Sequence, residues 1–456
     1  MKHPALLGLL AAALLVGCPS KPDLPTFKSV AECQAQAEAN LEAAKAARAE
    51  KDLDAAKAAA IQAEDALRQA QDLTPQQPSP LPSTDATPGA TPTIREPTPE
   101  ELAAETALRQ VARTARATRR NAMAVDEEER RDAKLNGLVA KTYRKGSGVA
   151  LQGLFLGLGK AAEQAIGKDV EELPENVRGA AKQAAKLASD LTGRQPLPDG
   201  EPDWEGIASD MRALSEEPSP RTHLSLAAGF LILKRDRLAL YEIHQVKPEG
   251  LPGGDAERAL FLTMKGIIYR MNGYPILAGE TFESVSTLEE LAVTGPELVA
   301  GIHLLLMAYN LKQKEYTKAD EHLVRAIKAW PENPIATYLT GEQQLANGEV
   351  ELAKDSFEKA ALGTDAEWLS KELKVRVKDI QDGKQTEALF TDLGFMRKLL
   401  FHYLALAAKR SPEAKQIQDQ LDRAQAFGTR TLEEFKEKIP GFGQGEDAAE
   451  AEPKSE

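Results

Sequence analysis

Apolar residues recur along this chain at three- and four-residue intervals, the period of helices packed on one face. Residues 30–73 are the most regular stretch. Seventeen of the 43 residues from Ala31 to Leu73 are Ala, with charges such as Glu42, Lys45, Arg48 and Lys51 spread between them. Alanine is the best helix former, and a break at Lys51-Asp52 predicts a helical hairpin. Its apolar stripe, Leu41, Leu53, Ile61 and Leu67, is thin, so the hairpin alone buries little area. Pro99, Glu100 and Glu101 suit the start of a long helix over 100–145. On it Arg109, Arg113, Arg116 and Arg120 share a face, which Arg131, Lys134, Lys141 and Lys145 extend if the helix is unbroken. Glu105 and Glu127 dilute that face. It is expected either to meet anionic lipid or an acidic partner, or to be solvated.

In 146–167, Leu151, Leu154, Phe155, Leu158, Ala162, Ala165 and Ile166 keep helical spacing. Gly153 and Gly157 form a small-xxx-small pair on another side. The apolar run, about 11 residues, is too short to span a bilayer. It is expected either to lie flat on a membrane or to be buried, its glycines admitting a neighbouring backbone. Residues 174–193 make another Ala-rich helix, stopped by Gly193, Pro196 and Pro198, and Trp204 to Leu214 make a short one. Between the hairpin and the long helix, 74–99 holds eight Pro and eight Ser or Thr in 26 residues and reads as an extended linker.

From about 221 to 362 helices come in pairs. Gly266, Tyr269, Gly273, Ala278, Phe282 and Val285 stand at offsets 0, 3, 7, 12, 16 and 19. A second copy holds Leu306, Tyr309, Tyr316, Ala319, Leu323, Ala326 and Pro331, with one extra residue in its turn. A third holds Gly341, Gly348, Ala353, Phe357 and Ala360. Ala319 to Ala353, Leu323 to Phe357 and Ala326 to Ala360 are each 34 residues, whereas Ala278 to Ala319 is 41, which places an insertion around Thr287–Pro296. The set resembles the tetratricopeptide (TPR) pattern over roughly 140 residues. The early tryptophan of that pattern is missing, the second copy lacks the turn glycine, and Gln344 replaces an aromatic in the third. A plain helical bundle is the alternative. A degenerate pair around Gly229 and Leu238–Val246 reads as a cap, and helices near 366–382, 388–409 and 411–436 continue the stack.

The resemblance implies a concave groove lined by the first helix of each pair. Carried onto this sequence, the groove has Thr263, Ile267, Arg270 and Met271, then His303, Met307 and Asn310, then Tyr338 and Glu342. Methionine adapts to irregular ligands, and no Lys/Asn clamp for a terminal carboxylate is present. An internal peptide or a helix is the ligand that the resemblance implies. The competing expectation is that these side chains pack on flanking helices such as 204–217 or 388–409.

The amino terminus adds an address. Lys2 precedes an apolar run, Ala5 to Val16, which ends in Leu15-Val16-Gly17-Cys18. These four residues resemble the lipobox of bacterial lipoproteins, which implies cleavage before Cys18 and acylation of it. Pro19 follows, not the Asp associated with inner-membrane retention, which favours the outer membrane. The predicted fold is all-α: signal peptide 1–17, tether 18–29, Ala-rich hairpin 30–73 and Pro/Ser/Thr-rich linker 74–99. A basic-striped helix with Gly/Ala-rich helices follows over 100–193, then a linker and short helix, 194–218. TPR-like repeats, 219–362, lead to capping helices, 363–440, and an acidic tail, 441–456, that is expected to be disordered.

Charge and chemistry narrow the function. Fifty-seven Lys and Arg against 70 Asp and Glu give −13, unlike a nucleic-acid binder. Aromatics are 5% of the chain. Two cysteines, Cys18 and Cys33, make no disulfide framework. No phosphate loop, G-x-S-x-G, H-E-x-x-H or C-x-x-C is present, and no two histidines stand four apart. No catalytic or metal residues, no cofactor and no small-molecule substrate are expected. The leading expectation is a non-catalytic lipoprotein scaffold that binds a protein partner at the bacterial envelope. The alternative is a structural protein that holds peptidoglycan or anionic lipid through its N-terminal helices.

Overall fold

The computed structural model describes residues 29–73 and 99–382, apart from short breaks at 252–253, 289–290, 293–294, 314, 347 and 365, and scattered positions between 398 and 427. The lipobox, most of the Pro-rich linker and the acidic tail lie outside the described residues. Every regular element among those described is helical. The chain divides into two compact units, Met1–Glu129 and Arg130–Glu456.

In the first unit, α1 (Val30–Ala49) and α2 (Leu53–Leu73) form the alanine-rich hairpin. Ser29 caps α1 by accepting from the Glu32 amide, and Asp52 accepts from the Ala55 amide to start α2. Lys51 takes φ +65° in the turn between them. The buried stripe is Cys33, Ala37, Leu41 and Ala44 on α1, with Ala56, Ala60, Ala63, Leu67 and Ala70 on α2. Ile61 is not part of it and is 61% exposed, because it stands about 100° around the helix from Ala60. The thin hairpin does not stand alone. Helix α3 (Pro99–Asn136) buries Val111, Thr114, Thr118, Asn121 and Val125. Arg48 pairs with Glu128 at 2.9 Å and Lys57 with Glu129 at 2.5 Å.

The expected basic helix over 100–145 is interrupted. Helix α3 stops at Asn136, and α4 (Leu138–Ala165) restarts after Gly137. The break moves Lys141 and Lys145 onto α4, whereas Arg131 and Lys134 stay on α3 and are taken up by partners. The Arg131 guanidinium donates to Tyr269 Oη at 3.4 Å, Lys134 donates to Asn272 Oδ1 at 3.0 Å, and Arg130 lies over the Tyr274 ring. Helix α4 buries Leu151, Phe155, Leu158, Ala162 and Ala165 against α5 (Glu175–Thr192) and α6 (Trp204–Glu216). The glycine expectation is corrected: nothing lies within 4 Å of a Cβ built on Gly153 or Gly157. Gly159 is the close approach instead, where an added Cβ would stand 3.4 Å from Met211 Cβ of α6. Arg194 fastens the chain before α6, reaching Asp210 at 2.6 and 2.9 Å and Asp203 at 2.5 Å.

Four helix hairpins follow: α7 (Pro220–Ile232) with α8 (Asp236–Ile243), α9 (Gly254–Met271) with α10 (Pro275–Ser286), α11 (Pro296–Lys312) with α12 (Tyr316–Ala329), and α13 (Pro334–Ala346) with α14 (Val350–Leu362). Helix α15 (Glu367–Gln381) packs on α14. Within two hairpins the same small–large pairing recurs. A Cβ on Gly266 would stand 2.6 Å from the Phe282 ring, and one on Gly341 would stand 2.8 Å from Phe357. Between hairpins, Gly279 of α10 makes room for the Tyr309 ring of α11. Gly273 and Gly348, at φ +80° and +83°, turn the chain between helices where a side chain would be strained.

Candidate functional site

The inner face implied by the repeat resemblance is core, and the expectation of an open groove there is corrected. Thr263 is 3% exposed and its hydroxyl donates to the Ala259 carbonyl at 2.8 Å. Ile267 is 7% exposed, and Arg270 and Met271 are half-buried. His303 is buried, and Met307 and Asn310 are fully so. The Asn310 amide donates to the Leu306 carbonyl of its own helix. Tyr338 is fully buried and its hydroxyl donates to half-buried Glu342.

What covers the hairpins α11–α12 and α13–α14 comes from farther along the chain. Ala300, Leu304, Met307, Ile335, Tyr338 and Leu339 share one apolar cluster with Leu369, Leu373, Leu399 and Tyr403. The Tyr403 ring sits where a Cβ on Gly301 would stand 2.8 Å away, and its hydroxyl donates to Asn333 Oδ1 at 2.8 Å. Trp330 meets the same ring edge-on at 5.2 Å. Burial pushes the Tyr403 phenol well above its ordinary range.

The structure brings together titratable groups that sequence spacing did not flag. His303 and His322 stack at 5.4 Å with Nδ1 atoms 3.2 Å apart. They lie on α11 and α12, the two helices of one hairpin, and only the packing of that hairpin brings them together. Burial, with each other's company and Arg325, lowers His303 to about 4. Burial with Arg325 and Lys318 lowers His322 to about 4. Both rings are neutral at pH 7, so one Nδ1 donates to the other. Hairpin α7–α8 repeats the same 19-residue offset. There His223 Nδ1 lies 2.7 Å from Glu242 Oε2, and Glu242 Oε1 accepts from the Tyr143 hydroxyl at 2.7 Å. Both carboxylate oxygens are engaged, so this buried cluster fastens α4 to α7 and α8.

His244 closes a third network. Its Nδ1 donates to the Leu240 carbonyl at 2.9 Å, which leaves Nε2 to accept from Tyr269 Oη at 3.1 Å. Burial lowers it to about 3. Cys33 is buried, and that burial raises its thiol pKa. Cys18 lies outside the described residues. Among the described residues no group of three or more His, Cys, Asp or Glu could hold a metal ion, and no helix is long and apolar enough to cross a membrane. No protein-family model matches the chain, and neither a curated protein nor a solved structure matches it.

Proposed function

We propose that this protein is a non-catalytic scaffold of the bacterial cell envelope, anchored through acylated Cys18, whose TPR-like helical array holds a protein partner. The observation that carries the reading is the recurrence inside the array. Gly266 and Gly341 each abut the phenylalanine 16 residues later, and the α11–α12 hairpin that stands between them in the chain keeps a 34-residue register with α13–α14 through Ala319–Ala353 and Leu323–Phe357. Helical arrays of this kind offer extended surfaces without needing a cofactor. Because the chain's own residues fill the inner face, the partner is assigned to the outer face of α12. There Tyr316, Val324 and Ile327 are 61%, 64% and 39% exposed on one side of the helix. Leu15-Val16-Gly17-Cys18 supports the anchor, and Pro19 supports the outer membrane.

The test is a crosslinking pull-down from native membranes with the full chain and its Val324→Glu/Ile327→Glu variant. The reading expects a partner held by the first and lost by the second. Capture of the same partner by both removes α12 as the surface, and no specific partner at all overturns the scaffold. Metabolic labelling with a fatty-acid analogue should mark the wild-type chain and not Cys18→Ser. The structural-protein alternative draws on α3, where Arg109, Arg113 and Arg116 are exposed. It predicts that isolated sacculi or anionic lipid retain the full chain, and that reversing those arginines to Glu releases it.

A further inference from the structure

The outward face of α4 differs from the rest of this acidic protein. Leu138 is 81% exposed, Val149 65% and Leu156 42%. At 3.6 residues per turn these three fall within an arc of about 20°, and Leu138 to Leu156 covers five turns, about 27 Å. Lys141, Lys145 and Lys160 flank the row and are exposed. No ion pair among the described residues involves any of the three. From Leu138 to Ala162 there is no Asp or Glu, in a chain whose net charge is −13. The first acid after that stretch, Glu163, is bound to Arg212 of α6. Gly148, Gly153 and Gly157 border the row with open space where a Cβ would be, so no helix among the described residues covers it.

We infer that this face of α4 rests on an anionic lipid surface, its apolar row at the acyl boundary and its lysines among the headgroups. A helix with aligned exposed aliphatics and flanking lysines has the form of an interfacial, non-spanning contact. The lysine stems let the ammonium groups rise to phosphate level while Leu138, Val149 and Leu156 leave water. A second copy is the less fitting occupant, because two-fold pairing sets the lysine rows against each other. The contact depends neither on acylation of Cys18 nor on the scaffold reading.

The experiment uses the full chain with Cys18→Ser, so that no acyl chain contributes, and with Val149→Cys carrying an environment-sensitive dye. Cys33 is fully buried and stays unlabelled. Vesicles containing phosphatidylglycerol should blue-shift the dye, less so at high salt, and pure phosphatidylcholine vesicles should not. Adding Lys141→Glu, Lys145→Glu and Lys160→Glu should weaken that response about 100-fold, since each basic group near an anionic surface contributes severalfold. Leu138→Gln with Leu156→Gln should also reduce it. Helicity should be unchanged in both, because every altered side chain is exposed, and Lys145→Glu alone gives a milder check. No shift with anionic vesicles, or an undiminished shift after lysine reversal, overturns the inference. A shift that grows with protein concentration in the absence of lipid assigns the face to a second copy and overturns it equally.

Discussion

Gly266 and Gly153 are both helical glycines, and their surroundings give them opposite roles. Gly266 lets α9 close onto the Phe282 ring, where a Cβ would fall at 2.6–2.9 Å. Gly266→Ala should cost about 1–2 kcal/mol, because overpacking outweighs the helix propensity gained. Gly153 meets nothing within 4 Å, so Gly153→Ala should stabilise by about 0.5–1 kcal/mol. Paired thermal melts read both, and equal signs would contradict the packing described. The histidine pair gives a pH dependence at the same scale. Unfolded histidines take up protons as pH falls through about 6.5, whereas folded His303 and His322 resist until about 4. The unfolded chain binds more protons in that window, so stability should fall from pH 6.5 to 4 and then level off. Urea melts of His322→Gln should show a shallower slope over the window than wild type. The buried His244 adds the same background trend to both.

Between elements, fastening falls to a few buried polar groups. Glu242, 3% exposed, joins Tyr143 of α4 to His223 of α7 from its own place on α8. Glu242→Ala takes the carboxylate from buried Tyr143 and half-buried His223 and should cost about 2–4 kcal/mol. Glu242→Gln keeps the Tyr143 bond and should cost less, and chemical denaturation of the two variants checks that order. The helices themselves were legible in the sequence, because caps, alanine content and proline stops act locally. Ser29, Asp52, Pro275 and Pro334 open helices in the positions their chemistry favours. The break at Gly137 is hidden in the sequence, although Asn136-Gly137 is a turn-prone dipeptide, because the basic residues on either side keep one helical spacing. Ile61 falls outside the stripe because alanines make most of the α2 contact beside Leu67, and large residues alone do not mark its position.

Over the whole molecule, the filled inner face decides what the array can bind. Ile267 is 7% exposed and Met307 fully buried. The double change Ile267→Glu with Met307→Glu should lower the melting temperature sharply, each buried charge costing about 3–5 kcal/mol. Loss of a partner in that variant would report unfolding and not a groove. A nearly unchanged melt would instead restore the open groove and contradict the packing of Leu399 and Tyr403 against this face.

The all-helical class and the paired helices with their 34-residue register follow from the sequence itself, since a 3.6-residue period and a repeated Gly–Phe offset are written in local spacing. Which faces those helices bury was decided only by tertiary structure. The same amphipathic face fits an open groove and a covered one. Here the covering side chains, Leu399 and Tyr403, stand 60 or more residues beyond most of what they cover. The His303–His322 contact and the open face of α4 belong to the same class. Each depends on which elements meet, and the free energy of that meeting is set by burial across the fold and not by any local window of sequence.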